Sequence, residues 1–290
     1  MSVLTRLEAT PSRVAHLLSI LADRPSGETE DRLRDFCAPE TLLKKDAGDP
    51  YTVFKATLGA ARELGLCETV EDRIRVRPDL VKRGELAPGF LEALESALLP
   101  IEPDASPGQA DFARALAWFL MQAPNRPMAF QTNYKSLIER QLQAGAPTFD
   151  LINGDRWNTF TYWCRYLGYG VAVAGRALAA DPTQALRRLI PRVLKSGRAV
   201  PPAAFLGLLA EVTPVFEHGW ARQEVEAFGL PSEGREDTRF SRSTSLALTR
   251  LEQEGLLRLG YSSDASGMIL DLGQDSPRRI SQVESLRGAA

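Results

Sequence analysis

The sequence predicts a mainly α-helical protein with two small β-wings, and three observations carry that expectation. Residues 241–254 hold neither Pro nor Gly, and they place Leu248 and Leu251 three apart with Thr244 one turn earlier, which makes one inward helical stripe. Gly255 follows where a left-handed helix stop is wanted, residues 256–261 read as a strand, and the Ser/Asp/Gly turn at 262–267 leads to a second strand at 268–272. The second observation is that residues 51–77 spell the same ending. Leu58 and Ala61 lie seven and four before Gly65, as Leu248 and Leu251 do before Gly255. The third is that residues 88–198, between the two copies, read as all-helical. A helix, a glycine stop and a two-stranded hairpin form the end of a winged helix-turn-helix, whose last helix enters the DNA major groove. Such modules also dock proteins without touching nucleic acid. The expected layout is an N-terminal winged helix-turn-helix over 1–85, a helical middle domain over 86–198, a C-terminal winged helix-turn-helix over 199–273, and a loosely ordered tail at 274–290.

In chain order, Thr10-Pro11 is a helix start, and Val14, Leu17, Leu18 and Leu21 supply its apolar stripe. A short helix over 30–36 turns Leu33 and Phe36 inward, residues 44–50 read as a loop, and a third helix from Tyr51 carries Phe54, Leu58 and Ala61. Residues 66–77 alternate like a hairpin around Glu71-Asp72. In the middle, helices are expected at 88–99, around Phe112 to Leu120, at 133–142 and from Trp157 onward. Trp157, Phe160, Cys164, Leu167 and Val171 keep helical spacing. That aromatic segment reads as core, because aromatic side chains dominate burial; with Arg156 and Arg165 it also resembles a base-stacking platform. Asp181-Pro182 opens a basic helix, and 203–212 and 221–228 are the helices before a loop at 230–234.

Composition narrows the function classes. Over 290 residues, 44% hydrophobic and 25% charged content is that of a globular chain. A formal charge of −2 confines any nucleic-acid contact to a local patch. Cys37, Cys67 and Cys164 stand apart with no CxxC, and are expected to be buried thiols in a reducing compartment. Without a long apolar run or a signal-like start, the expected location is the cytoplasm, off the membrane. His16 and His218 stand on unrelated segments, and His16 reads as a packed or capping residue. Glu217, Glu224 and Glu226 read as a solvated helix face. No phosphate-loop, nucleophile-elbow or zinc-protease motif occurs, and the Gly168/Gly170 pair is too little to bind phosphate. A non-enzyme with no cofactor, no metal and no small-molecule substrate is therefore expected.

The phrases TPSRVAHLLSIL, FARALAWFLMQAPNRP and NGDRWNTFTYWCRYLGYG, within the first 170 residues or so, resemble the DpdG family of bacterial gene clusters. Those clusters insert 7-deazaguanine derivatives into DNA and restrict unmodified DNA. The resemblance implies a part in phage defence beside modification and restriction proteins, with no catalytic residue set to carry over. The expected function is an adaptor that binds double-stranded DNA and recruits proteins of that system. A transcriptional regulator and a protein-only structural subunit stay open.

For DNA contacts, the expected residues are Arg239, Arg242, Ser245, Thr249 and Arg250 on the outward face of the 241–254 helix, with Arg258 on the wing. Guanidinium and hydroxyl groups there are base-edge and phosphate donors, though a helix start uses the same hydroxyls as caps. Further phosphate contacts are expected from Arg187, Arg188, Arg192, Lys195 and Arg198, the densest positive run, and from Lys55 and Arg75.

Overall fold

The structure, a computed structural model, describes residues 2–43, 48–105, 107–130, 132, 134–142, 149, 151, 153–229, 238–273 and 277–286. The expected loop at 230–234 and most of that at 44–50 lie outside the described residues. The chain divides into two compact units, Met1–Leu98 and Leu99–Ala290. Among the described residues no helix is long and apolar enough to cross a membrane.

The first unit runs α1 (Pro11–Ala22), α2 (Glu30–Cys37), α3 (Thr52–Glu63), β1 (Cys67–Val70), β2 (Arg73–Val76), β3 (Val81–Lys82), β4 (Glu85–Leu86) and α4 (Phe90–Leu98). Thr10 caps α1 by accepting the Arg13 N–H at 3.4 Å, with Pro11 at the first helical position. Val14, Leu17, Leu18 and Leu21 of α1 are buried, as are Phe54, Leu58 and Ala61 of α3, and these two stripes make the core. His16 is instead exposed. α3 stops at Gly65, φ +62°, where Gly65 N–H reaches Arg62 O and Leu66 N–H reaches Ala61 O, both at 3.0 Å. β1 and β2 then pair antiparallel from Cys67↔Val76 to Val70↔Arg73, turning through Glu71 and Asp72 with both φ values positive.

The second unit runs α5 (Pro107–Leu120), β5 (Met128–Ala129), α6 (Lys135–Gln141), α7 (Gly154–Tyr166), β6 (Gly170–Val173), β7 (Ala177–Ala180), α8 (Thr183–Val193), β8 (Ala199–Val200), α9 (Pro202–Ala210), α10 (Trp220–Ala227), α11 (Arg242–Gln253), β9 (Leu257–Gly260), β10 (Met268–Leu270), β11 (Arg278–Ile280) and β12 (Gln282–Ser285). Its aromatic core joins α5 to α7: Trp157 stacks on Phe160 at 5.3 Å, and Phe119 meets Phe160 edge-on at 5.5 Å. α10 is clamped to α5 by Arg114, which donates to both oxygens of Glu224 at 3.0 and 3.1 Å.

The expected fold class does not hold. The chain is about 47% helical, and its described residues form five small antiparallel sheets, so a mainly α protein with two β-wings around an all-helical middle is not what is built. The middle has a three-stranded sheet of its own, β5-β7-β6. α7 stops at Gly168, φ +78°, by the same two hydrogen bonds as α3, Gly168 N–H to Arg165 O and Tyr169 N–H to Cys164 O. Gly170 then opens β6 where a Cβ would sit 3.0 Å from both Cys164 Sγ and Leu178 Cδ1. The glycine pair thus serves a helix stop and a close approach of strand to helix.

The C-terminal end also differs. β9 and β10 do not pair with each other as a wing. β10 pairs with β11, from Met268↔Ile280 to Leu270↔Arg278, and β9 pairs with β12 from Leu257↔Ser285 to Gly260↔Gln282. β12 also pairs with β8, giving the order β8-β12-β9. Residues 278–285 are therefore not a loose tail. Ile280 and Val283 are fully buried, and burying them draws both strands into the unit. The sheet partner of β9 is thereby taken from beyond the expected turn.

Candidate nucleic-acid interface

α11 starts at Ser241, whose hydroxyl accepts the Thr244 N–H at 3.4 Å. The hydroxyls after it are used internally. Ser243 is buried and donates to Leu120 O at 2.5 Å, and Ser245 is buried and accepts the Asp271 N–H at 2.9 Å. Ser245 is thus turned inward rather than onto the outer face, and Thr249, half-buried, donates to Ser245 O at 2.8 Å. Arg239 is half-buried, and its backbone bridges to Ile269.

The exposed arginines of α11 each meet a carboxylate. Arg242 lies 3.5 Å from Asp271 Oδ2, and Arg250 is paired with Asp181. Arg258 stands on β9, an outer strand of the three-stranded sheet, and pairs with Glu284 of β12 at 3.0 Å while its side chain stays 66% exposed. On α8, Leu186, Leu189 and Ile190 face the core, which leaves the basic residues outside. Arg187 bridges to Glu254 at 2.6 Å. Arg188 donates to Leu167 O at 2.6 Å and so satisfies a carbonyl at the end of α7, a structural use. Arg192, Lys195 and Arg198 are exposed and make no ion pair with any described residue. In the first unit, Lys55 pairs with Asp49 at 2.6 Å, and Arg75 donates to Ser26 O at 3.3 Å.

Two of the expected cations are brought together. Arg187 and Arg250 line one cleft of about 400 Å³ with Val171, Asp181, Thr183, Gln184, Gln253 and Glu254. Asp181 is buried there; its Oδ1 accepts the Thr183 N–H at 3.1 Å and the Thr183 hydroxyl at 2.5 Å, and Oδ2 takes Arg250. Sequence reading does not find these carboxylate partners, nor Glu217. Rather than facing solvent, Glu217 is fully buried and accepts the Ser241 N–H at 2.9 Å, which fixes the start of α11. Arg278 and Arg279 were also missed, and only the run PRRI marks them. Arg278 donates to Glu252 Oε1 at 2.8 Å and holds that carboxyl below its usual range, while Arg279 is exposed with no ion pair among the described residues.

The thiols are poor nucleophiles. Burial pushes Cys67 and half-buried Cys37 up to about 11, and pushes buried Cys164 well above the ordinary thiol value. At pH 8 the native protein is expected to react slowly with a disulfide thiol reagent and to release three equivalents only after denaturant is added. A fast stoichiometric phase before denaturation would contradict these environments.

A family model described as DpdG-like matches residues 1–265. No curated protein and no solved structure matches the chain.

Proposed function

The chain belongs to the DpdG-like family, and on that premise we propose that it is a DNA-contacting adaptor without chemistry of its own, working beside the proteins of a DNA-modification and restriction system. One observation supports the DNA reading. Arg192, Lys195 and Arg198 leave the end of α8 as three exposed cations with no carboxylate partner among the described residues. They run directly into β8, in the same sheet as Arg258. Free cations release counterions from duplex DNA when they meet phosphate, whereas arginines already paired, like those of α11, must first give up a partner. Duplex contact is thus assigned chiefly to Arg192, Lys195 and Arg198, with Arg258 on the same sheet secondary because it must first give up Glu284, and is indifferent to base sequence.

The test is a gel shift with random and promoter-like duplexes across a salt series. The triple variant Arg192→Gln/Lys195→Gln/Arg198→Gln is expected to reduce the slope of log affinity against log salt by about three, roughly one per phosphate contact. An unchanged slope would remove the assignment. Absence of any shift at low salt would select the protein-only reading, which the exposed Tyr162, Tyr166, Val171 and Val173 of α7 and β6 favour. Preference for promoter-like DNA would favour a regulator.

A further inference from the structure

We propose that the cleft at the start of α8 binds a phosphate monoester, the terminal phosphate of a nucleotide or of a nucleic-acid end. Two guanidinium groups line it, Arg187 from α8 and Arg250 from α11. Arg250 is set from below: its carboxylate partner Asp181 is 4% exposed in its side chain and is locked by two hydrogen bonds from Thr183, while the Arg250 side chain is 47% exposed. The fork is therefore aimed outward by a buried base, with donors left over for a ligand. Asp181 lines the cleft as well, with its oxygens taken by Thr183 and Arg250, so its charge orients the guanidinium.

Arg187 is the adjustable member. Its partner Glu254 is 41% exposed, and an exposed ion pair of this kind holds weakly, so the guanidinium can exchange a carboxylate for a phosphate at small cost. The cleft also takes in Thr183 and Gln184, the first residues of the eleven-residue α8; the Thr183 N–H is taken by Asp181 and the Ala185 N–H by Gly168 O, so the helix start contributes its dipole rather than these N–H groups. Once Glu254, which lines the same cleft, gives up Arg187, two guanidiniums on one locus suit a dianionic phosphate better than the single charge of a backbone phosphodiester. Val171, exposed on β6, gives the same cleft an apolar wall for the base or sugar carried by that phosphate. This site does not depend on the duplex contacts of residues 192–198.

The experiment is calorimetric titration of the full chain with inorganic phosphate and with a deoxynucleoside 5′-monophosphate. Alongside it, duplexes that carry either a 5′-phosphate or a 5′-hydroxyl are titrated. Saturable monophosphate binding is expected, competed by inorganic phosphate and weakened roughly tenfold or more by Arg187→Gln, the size of one charge-assisted hydrogen bond. Arg250→Lys keeps the charge over Asp181 and the fold, and is expected to weaken binding by a similar factor because the fork is lost. Arg192→Gln lies outside the cleft and is expected to leave monophosphate binding unchanged. A tighter 5′-phosphate duplex identifies a nucleic-acid end as the source, and equal duplexes with a binding monophosphate identify a free nucleotide. If phosphate, monophosphate and 5′-phosphate all fail to bind, or if neither cleft variant changes their affinity, the proposal is overturned.

Discussion

Replacing Trp157 by alanine is expected to destabilise the unit 99–290 by about 3–5 kcal/mol, the usual cost of emptying a buried tryptophan site. The indole is fully buried, stacked on Phe160 at 5.3 Å and met edge-on by Tyr134 at 4.8 Å. Its Nε1 donates to Ala129 O at 2.8 Å, so it also ties α7 to β5. Two losses are thus combined, and a second variant separates them. Trp157→Phe keeps most of the ring but removes one of two donors to the Ala129 carbonyl, the Tyr134 hydroxyl remaining at 3.2 Å, and should cost about 0.5–1.5 kcal/mol. Urea unfolding followed by far-ultraviolet dichroism would read both as falls in midpoint. A midpoint for Trp157→Ala within about 1 kcal/mol of the parent would mean that α7 is not the centre of this core.

What the sequence made legible follows from the range of the interactions. α1 and α11 lie where caps and periodicity put them, because Thr10, Ser241 and the leucine stripes act within a few residues. The β1–β2 hairpin is local in the same way. β5 is not: Met128 and Ala129 form a strand only because β7 lies beside them, and 170–180 is a run of small apolar residues with no clear period. The exchange at β9 is non-local too, since Gln282 and Ser285 come from beyond the turn that suggested a hairpin. The same limit applies to the candidate site. Counting arginines located the basic run on α8, but Arg250 finds Asp181, Arg187 finds Glu254 and Arg258 finds Glu284 across the fold. Spacing cannot tell a free cation from a paired one, so it ranked α11 above the 192–198 segment, and it placed Ser245 on the wrong face.

A chain ending at Gly273 is expected to lose most of the stability of the C-terminal sheet. β12 is the middle strand of β8-β12-β9, so its removal strips both neighbours of their ladders and uncovers Leu257 and Leu259. Burial of Ile280 and Val283 alone is worth roughly 1.5–3 kcal/mol each, and the void left beneath β9 adds to that loss. Because the family match ends at residue 265, the shortened chain would still contain every matched residue. Its melting curve therefore asks whether the matched segment folds without β11 and β12. A lower and broader transition is expected, with early proteolytic cleavage in 256–270; an unchanged melt would show that these strands are dispensable. Acid sensitivity gives a second reading. The Arg278 hydrogen bond holds the Glu252 carboxyl below its usual range, so it stabilises the fold above the ordinary glutamate value and is lost as pH falls through the lowered one. Removing β11 removes Arg278, and that part of the acid dependence should vanish with it.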